Sequence, residues 1–298
     1  MDGAGEFRPL ILLLVLSVAL FEFGWRRWAS RRGYDLRAAA ASMGVMLLGI
    51  VPKQIGGVVT GFVLFGAQEM APWHLPMNDW RVWAACFIGV ELAYYWFHRF
   101  SHTVRWFWAN HAVHHSSNEF VLPSAYRLGW FGTLMGSWLF FVPLVLVGFP
   151  PLMVAGLLGT NLLYQLFLHT ELVGRLGWFE YLLNTPSHHR CHHSRESEYL
   201  DCNFGGVVIV FDRLFGTFRA ERKDRRPDYG LVHRLDSRNP FWIGLHELAA
   251  IWQDVRLARD LREVAAILFS SPGHSKALAT AIRQSRSGKE LHSAKQDA

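Results

Sequence analysis

Cysteine is scarce in this chain of 298 residues: Cys86, Cys191 and Cys202 are the three present, and no C-x-x-C pair occurs among them. That spacing gives no basis for a disulfide frame, or for a zinc or iron–sulfur site held by thiolates. A glycine-rich phosphate loop, a dinucleotide fingerprint and a fused haem domain are missing too, so redox chemistry here would draw its electrons from another molecule. No internal repeat occurs apart from the histidine clusters described below. Charged residues make up 18% of the chain, and the net charge of +6 comes from basic residues beside apolar runs and in a polar tail, with no nucleic-acid-binding motif. Attraction to anionic lipid accounts for that excess, and nucleic acid is not expected as a partner.

Apolar residues are abundant instead, at 51%. Runs at residues 7–25, 37–67, 80–97, 128–149 and 151–168 each approach or exceed the roughly 20 residues that cross a ~30 Å hydrocarbon core. Asp2 and Glu6 precede the first run and arginines follow it, the reverse of a cleaved signal peptide, so it reads as a retained spanning helix. The second run carries Pro52 and Lys53 at its middle. A centred lysine costs about 2.5–3.5 kcal/mol on insertion scales unless it snorkels or pairs, which leaves open one kinked helix or a broken, partly interfacial one. Arg26, Arg27, Arg31, Arg32 and Arg37 crowd the loop after the first run, whereas residues 68–79 contain no lysine or arginine, which puts the first loop in the cytoplasm. The expected fold is an all-α, multi-pass integral membrane protein with four to five transmembrane helices and a cytosolic helical cap. Its regions are an N-terminal transmembrane part at 1–79, a histidine-bearing domain at 80–221, a cytosolic amphipathic helical region at 222–273 and a disordered polar tail at 274–298.

Histidine is unevenly spread. Ten of the fifteen lie between His98 and His193, eight of them in the clusters HRFSH, HAVHH and HRCHH, with His188 directly before the third cluster and His169 between. Spacings of three and four put imidazoles on one helical face. Asn184, Thr185, Pro186 and Ser187 read as a turn with an N-cap, which starts a short helix under His189, His192 and His193. Burying so many imidazoles without partners would be costly. Eight of them exceed the three or four protein ligands of one zinc ion, and two metals with positions left open for oxygen match the count better. Imidazole suits zinc, copper, nickel and iron alike, so ligand type alone does not choose the metal. A site at the cytosolic mouth of a membrane bundle meets lipid tails, whose unactivated C–H bonds offer little to a hydrolase, and this favours redox-active iron with dioxygen.

Glu91, seven residues before His98 and at membrane depth, reads either as a catalytic-site partner to a ligand histidine or as a structural hydrogen-bonder. Asp201, Asn203 and Asp212 could orient histidines or serve capping and turn duties. Residues 203–218 suit a short strand or a helix. His74, His233, His246, His274 and His292 read as surface residues.

The clusters resemble the H-x-x-x-H, H-x-x-H-H and H-x-x-H-H boxes of the fatty acid hydroxylase and sterol desaturase superfamily of membrane di-iron oxygenases, at His98 to His102, His111 to His115 and His189 to His193. Within it, YYWFHRFSH, WANHAVHHSS, NLLYQLFLHTE, LNTPSHHRCHH and FDRLFGTF are most similar to the alkylglycerol monooxygenase group, over residues 80–221. The resemblance implies iron ligation by His98, His102, His111, His114, His115, His189, His192 and His193, with His169 and His188 as ninth and tenth ligands. It implies two ferrous ions, a lipid substrate hydroxylated or desaturated with dioxygen, and an external reductant, either a tetrahydropterin or an electron-transfer protein. The chain departs from that group at Thr103, where Glu is expected, and at Glu91, where Asp is expected. The alternatives are a sterol or fatty-acyl desaturase or hydroxylase of the same superfamily, a membrane zinc lipid hydrolase whose bound water attacks an ester, and a metal transporter. A transporter should line several spans with ionisable residues, and here they gather at one mouth.

Overall fold

The computed structural model describes residues 3–30 and 33–296, with side chains described over 13–30 and 33–284. Arg31, Arg32 and His292 therefore fall outside the described side chains. The α-helices are α1 (Gly3–Gly24), α2 (Leu36–Leu48), α3 (Ile50–Glu69), α4 (Trp80–Thr103), α5 (Arg105–His115), α6 (Val142–Leu146), α7 (Pro151–Leu166), α8 (Pro186–His192), α9 (Val210–Leu214), α10 (Pro240–Val255), α11 (Leu261–Phe269) and α12 (Pro272–Gln296). Among the described residues there is no strand, only two isolated bridges, Leu183 with Val208 and Ser194 with Tyr229. The all-helical expectation holds. The chain forms two compact units.

One unit comprises residues 1–48, 114–127 and 159–240. Helix α1 covers the first apolar run and passes into a single π-helical segment, Trp25–Ala29. Helix α2 starts at Asp35, whose carboxylate accepts the backbone N–H groups of Arg37 and Ala38 at 2.8 and 3.0 Å, satisfying donors that the first turn leaves orphaned. Its buried Ser42 and Val45 face a 3-10 turn at Leu122–Tyr126. There the Arg127 side chain is buried and donates to Ser42 Oγ at 2.8 Å. Burial pushes this guanidinium down to about 10, the opposing carboxylates of Glu119 and Asp35 having the smaller effect.

The other unit comprises residues 49–113, 128–158 and 241–298. The second apolar run is not one helix: α2 and α3 meet at Gly49, and Pro52 falls in the first turn of α3, where a missing N–H forfeits no intrahelical bond. Among the described residues, α3 is the helix long and apolar enough to cross a membrane. The fourth run, 128–149, does not form a spanning helix. Gly136 and Gly148 take left-handed backbone angles, φ 96° and 105°, and between them lie only a 3-10 turn, Ser137–Phe140, and the short α6. Left-handed glycine ends a helix however apolar its neighbours are. At Gly148 the backbone also comes close to Trp73, and Leu75 N donates to the Gly148 carbonyl at 2.9 Å. Leu64, Cys86, Val90, Tyr94, Phe141, Val145 and Met153 make the core of this unit, packing α3, α4 and α6 together.

Arg105, at the start of α5, is fully buried and draws the C-terminal helices onto it. Its Nε and Nη1 reach Glu247 Oε1 at 3.1 Å and Asp254 Oδ2 at 2.7 Å on α10, and Nη1 also donates to Ser275 Oγ at 2.8 Å on α12. The expected amphipathic stretch is two helices, α10 and α11, the second capped by Asp260 through Glu263 N at 2.9 Å. The segment expected to be disordered from His274 carries the backbone of α12.

Candidate metal centre

The first unit gathers His114 and His115 from the end of α5, His169 from just beyond α7, and the histidines of α8. Thr185 is extended at the helix boundary and Pro186 occupies the first turn, so α8 begins where the sequence places it, with His193 at its C-terminal boundary. One candidate ligand atom each from His114, His169, His189 and His193 lies within 4.8 Å of the others, and all four rings are buried. His169 Nε2 is 3.1 Å from His114 Nε2 and 3.1 Å from His189 Nε2. Beside this group the His115 ring stacks on His193 at 4.3 Å and faces His192 at 4.7 Å.

The opposite nitrogens explain how these rings are aimed. His114 Nδ1 lies 3.2 Å from the Arg127 carbonyl, His169 Nδ1 2.8 Å from the Gln165 carbonyl and His192 Nδ1 2.8 Å from the Cys202 carbonyl. A carbonyl only accepts, so the proton is assigned to Nδ1 in each ring and the Nε2 lone pair points inward. Facing lone pairs repel unless a cation lies between them. Ligand nitrogens sit ~2.0–2.1 Å from a first-row metal such as zinc, which places neighbouring ones roughly 3.0–3.4 Å apart. The spacing in the cluster matches. His193 Nε2 is buried without a hydrogen-bond partner, an atom that a metal would satisfy. Burial holds His169 down to about 4, and His193 lies well below the ordinary histidine range through burial first and then the neighbouring rings of His115, His114, His189 and His169. Neutral imidazole is the ligand form.

In the other unit, α4 and α5 bring a second group together. His98 Nε2 is 3.0 Å from His111 Nε2, and the His102 ring centroid is 4.9 Å from that of His111 and 5.4 Å from that of His98. The four-residue step from His98 to His102 puts both on one face of α4. Tyr94 and Trp108 back the rings of His98 and His102 at 5.4 Å each. Glu91 is buried on α4, two turns before His98.

His188 stands apart from these groups. Its ring meets Phe218 edge-on at 5.2 Å and its Nε2 is 4.0 Å from Glu180 Oε2, because adjacent residues on a helix diverge by about 100° and His189 faces the cluster. Asn203 and Asp212 serve the loop: Asn203 Nδ2 donates to the carbonyls of His188 and Arg219, and Asp212 accepts from Phe204 N, Gly205 N and Thr217 Oγ1. Asp201 and Asn203 both have left-handed angles, φ 55° and 54°, around Cys202, whose carbonyl takes His192. Residues 203–218 are thus loop, bridge and the short α9. His246 is half-buried, not on the surface, and bonds the Ile243 carbonyl through Nδ1 at 2.9 Å, whereas His74, His233 and His274 are exposed. The orienting carbonyls of Arg127, Gln165 and Cys202 leave no side-chain signature in sequence.

Gly206 sits against the buried Asn161, and a Cβ there would lie 1.9 Å from Asn161 Nδ2. Asn161 in turn accepts from Gln165 Nε2 at 2.6 Å, so it has no room to yield. Gly206→Ala is expected to destabilise the protein by about 1–3 kcal/mol through overpacking, with reduced metal retention because Gln165 carries the carbonyl that orients His169. Thermal unfolding and metal content of the variant check this, and native values for both would mean that the contact is loose.

Residues 83–217, which contain all ten clustered histidines, match the fatty acid hydroxylase family model. The chain is 41% identical over 200 residues to the alkylglycerol monooxygenase of Homo sapiens, an alignment covering 67% of this chain and 44% of that protein. It is 35% identical over 178 residues to the alkylglycerol monooxygenase of Caenorhabditis elegans, covering 59% and 34%. It is 28% identical over 241 residues to the ornithine lipid hydroxylase OlsE of Rhizobium tropici, covering 77% and 72%. The chain spans less than half the length of these alkylglycerol monooxygenases. No solved structure matches.

Proposed function

Because this chain belongs to the fatty acid hydroxylase family, we propose that it is a membrane-bound, non-haem di-iron oxygenase that hydroxylates a lipid with dioxygen and external electrons. The observation that carries the reading is the closed, buried set of His114, His169, His189 and His193, with one nitrogen of each turned inward. These four would hold one iron, while His98, His102 and His111 would contribute to holding the second. His111 and His114 both lie on α5, so a single helix contributes to both sets. Glu91 is assigned to positioning a ligand ring on α4. When bound, iron would supply the oxygen activation that no side chain here can perform.

The protein's own contribution is to hold the ligands, keep their Nδ1 protons on carbonyls, and keep the site dry. The relatives named for alkylglycerol and for an ornithine lipid support a lipid substrate, and Thr103, directly after the first box, marks a difference from the alkylglycerol monooxygenase group. We assign four to five crossings, with α1, α3, α4 and α7 the helices to make them, and the histidine boxes on the cytoplasmic side beside Arg26 and Arg27. The exposed Leu176, Trp178, Phe179, Tyr181 and Leu182, just before α8, suit a membrane interface.

The test is metal analysis of anaerobically purified protein, followed by lipid mass spectrometry with labelled dioxygen. About two irons per chain and label in a hydroxylated lipid are expected on this reading. Zinc in place of iron, with turnover in the absence of oxygen, would overturn it in favour of a hydrolase.

A further inference from the structure

The apolar helix α1 carries a buried carboxylate near its C-terminal end. Glu22 is 1% exposed, and both of its oxygens are engaged: Oε1 accepts from Thr170 Oγ1 at 2.5 Å and Oε2 from Leu122 N at 2.7 Å. Arg26 lies four residues on, in the π-helical segment, and is buried as well. Its Nη1 donates to Glu171 Oε2 at 2.9 Å, and its Nη2 lies 3.8 Å from Glu119 Oε1. Glu22 and Arg26 thus hold the same two segments, one at 119–122 and the other at 170–171. A carboxylate taken out of water is costly unless it is hydrogen-bonded, and a helix that served only to cross a bilayer would have no use for one.

Both segments lead into the four-histidine group. Thr170 follows His169, and its hydroxyl, besides donating to Glu22, accepts from Leu172 N at 3.1 Å, which fixes the turn after the ring. His169 Nε2 is the atom that lies 3.1 Å from the Nε2 of both His114 and His189. On the other segment, Phe120 stacks on the His169 ring at 5.4 Å and 22°. The 3-10 turn that starts at Leu122 leads to Arg127, whose carbonyl aims His114 through Nδ1 at 3.2 Å. A shift of either segment therefore moves a ring or the carbonyl that orients one. The π-helical departure of α1, a feature frequent at functional sites, begins between Glu22 and Arg26.

Resting on the di-iron reading, we propose that α1 completes the metal centre: Glu22 is a positioning residue that holds the His169 turn and the Phe120–Arg127 segment in register, and Arg26 is its second clasp. Both residues lie outside the stretch 83–217 that matches the family model, so that stretch does not set its ligand geometry alone. The carboxylate acts through Thr170 and Leu122 and not as a ligand. Its effect falls on the set of His114, His169, His189 and His193, whereas His98, His102 and His111 are carried by α4 and α5.

The experiment uses the full chain in lipid nanodiscs, stripped of metal by a chelator and titrated with cobalt(II), whose visible absorption reports how many ions bind and the geometry around each. Native protein is expected to take up about two equivalents. In Glu22→Ala one equivalent should bind about tenfold more weakly, with an altered spectrum, while the other keeps its native affinity, since outer partners of metal ligands typically govern 10–100-fold in affinity. Thr170→Val, which keeps the shape and removes the hydroxyl, should weaken the same equivalent. Combining the two changes should cost less than the sum of the separate losses, because both break one contact. Glu22→Gln, which retains one acceptor oxygen, should fall between native protein and Glu22→Ala, and with Thr170→Val it carries the comparison if Glu22→Ala fails to insert. Native binding of both equivalents in Thr170→Val and in the Glu22 variants overturns the proposal. So does an equal weakening of both equivalents, the mark of a purely structural role. Native protein that binds no cobalt defeats the metal-centre reading and the proposal together, whereas native uptake with variants that match it defeats the proposal alone.

Discussion

Replacing His169 by alanine is expected to lower bound iron and cut turnover by at least about 100-fold, since loss of even an outer partner of a metal ligand typically costs 10–100-fold. His169 joins His114 to His189, with 3.1 Å to each Nε2, and its removal opens the middle of the four-ring set. His188→Ala, one residue before a cluster member, is expected to leave iron content unchanged and activity within a few-fold, because its ring packs on Phe218 and faces Glu180. Iron analysis and lipid turnover on the two purified variants, each inserted in membranes to native levels, separate the roles. Native activity in the His169 variant would remove the four-histidine group as a metal site. Iron loss in the His188 variant would mean that this ring turns inward.

Arg105→Met should be the most destabilising single change outside the metal centre. The guanidinium is fully buried between Glu247 and Asp254, and its removal strands two carboxylates in a dry interior. Breaking a buried pair this way costs about 3–5 kcal/mol. Lys276 at 3.0 Å from Glu247, and Arg283 on Asp254, bring charge from the surface side and hold the loss toward the lower figure. At ~2–4 °C per kcal/mol for a chain of this size class, the unfolding temperature should drop by roughly 6–12 °C. Thermal unfolding in detergent measures the drop. Adding Glu247→Gln to Arg105→Met should recover part of it, since one stranded charge is then gone. No drop in the single variant would mean that the carboxylates find water or other cations.

The grouping of the histidines was legible from spacing because helical periodicity is the same in any surroundings: His98 with His102, and His111 with His114 and His115, could not avoid sharing faces once those segments were helical. His169 sits alone in sequence, and only the fold shows its Nε2 between two others. The displacement of His188 was legible in the helical step from His189, although the family resemblance implied a tenth ligand. Apolar runs were a poorer guide. Residues 128–149 look like a span because hydropathy sums side chains, and it does not register the left-handed Gly136 and Gly148 that break the backbone there. The same sum joined α2 to α3 across Gly49. Buried polar groups such as Arg105 and Arg127 leave no pattern at all, since Glu247 and Ser275 for the first and Ser42 for the second come from segments 85 to 170 residues away.

Among the described residues, the two donor sets contain imidazoles and no carboxylate. An ion lodged there keeps its entire positive charge, because nothing in its shell is anionic, and the buried surroundings screen that charge weakly. The lower oxidation state is then the more comfortable guest. A centre built this way resists losing electrons at rest and regains them from a mild donor, which suits an enzyme that waits in its reduced form until oxygen and substrate arrive together.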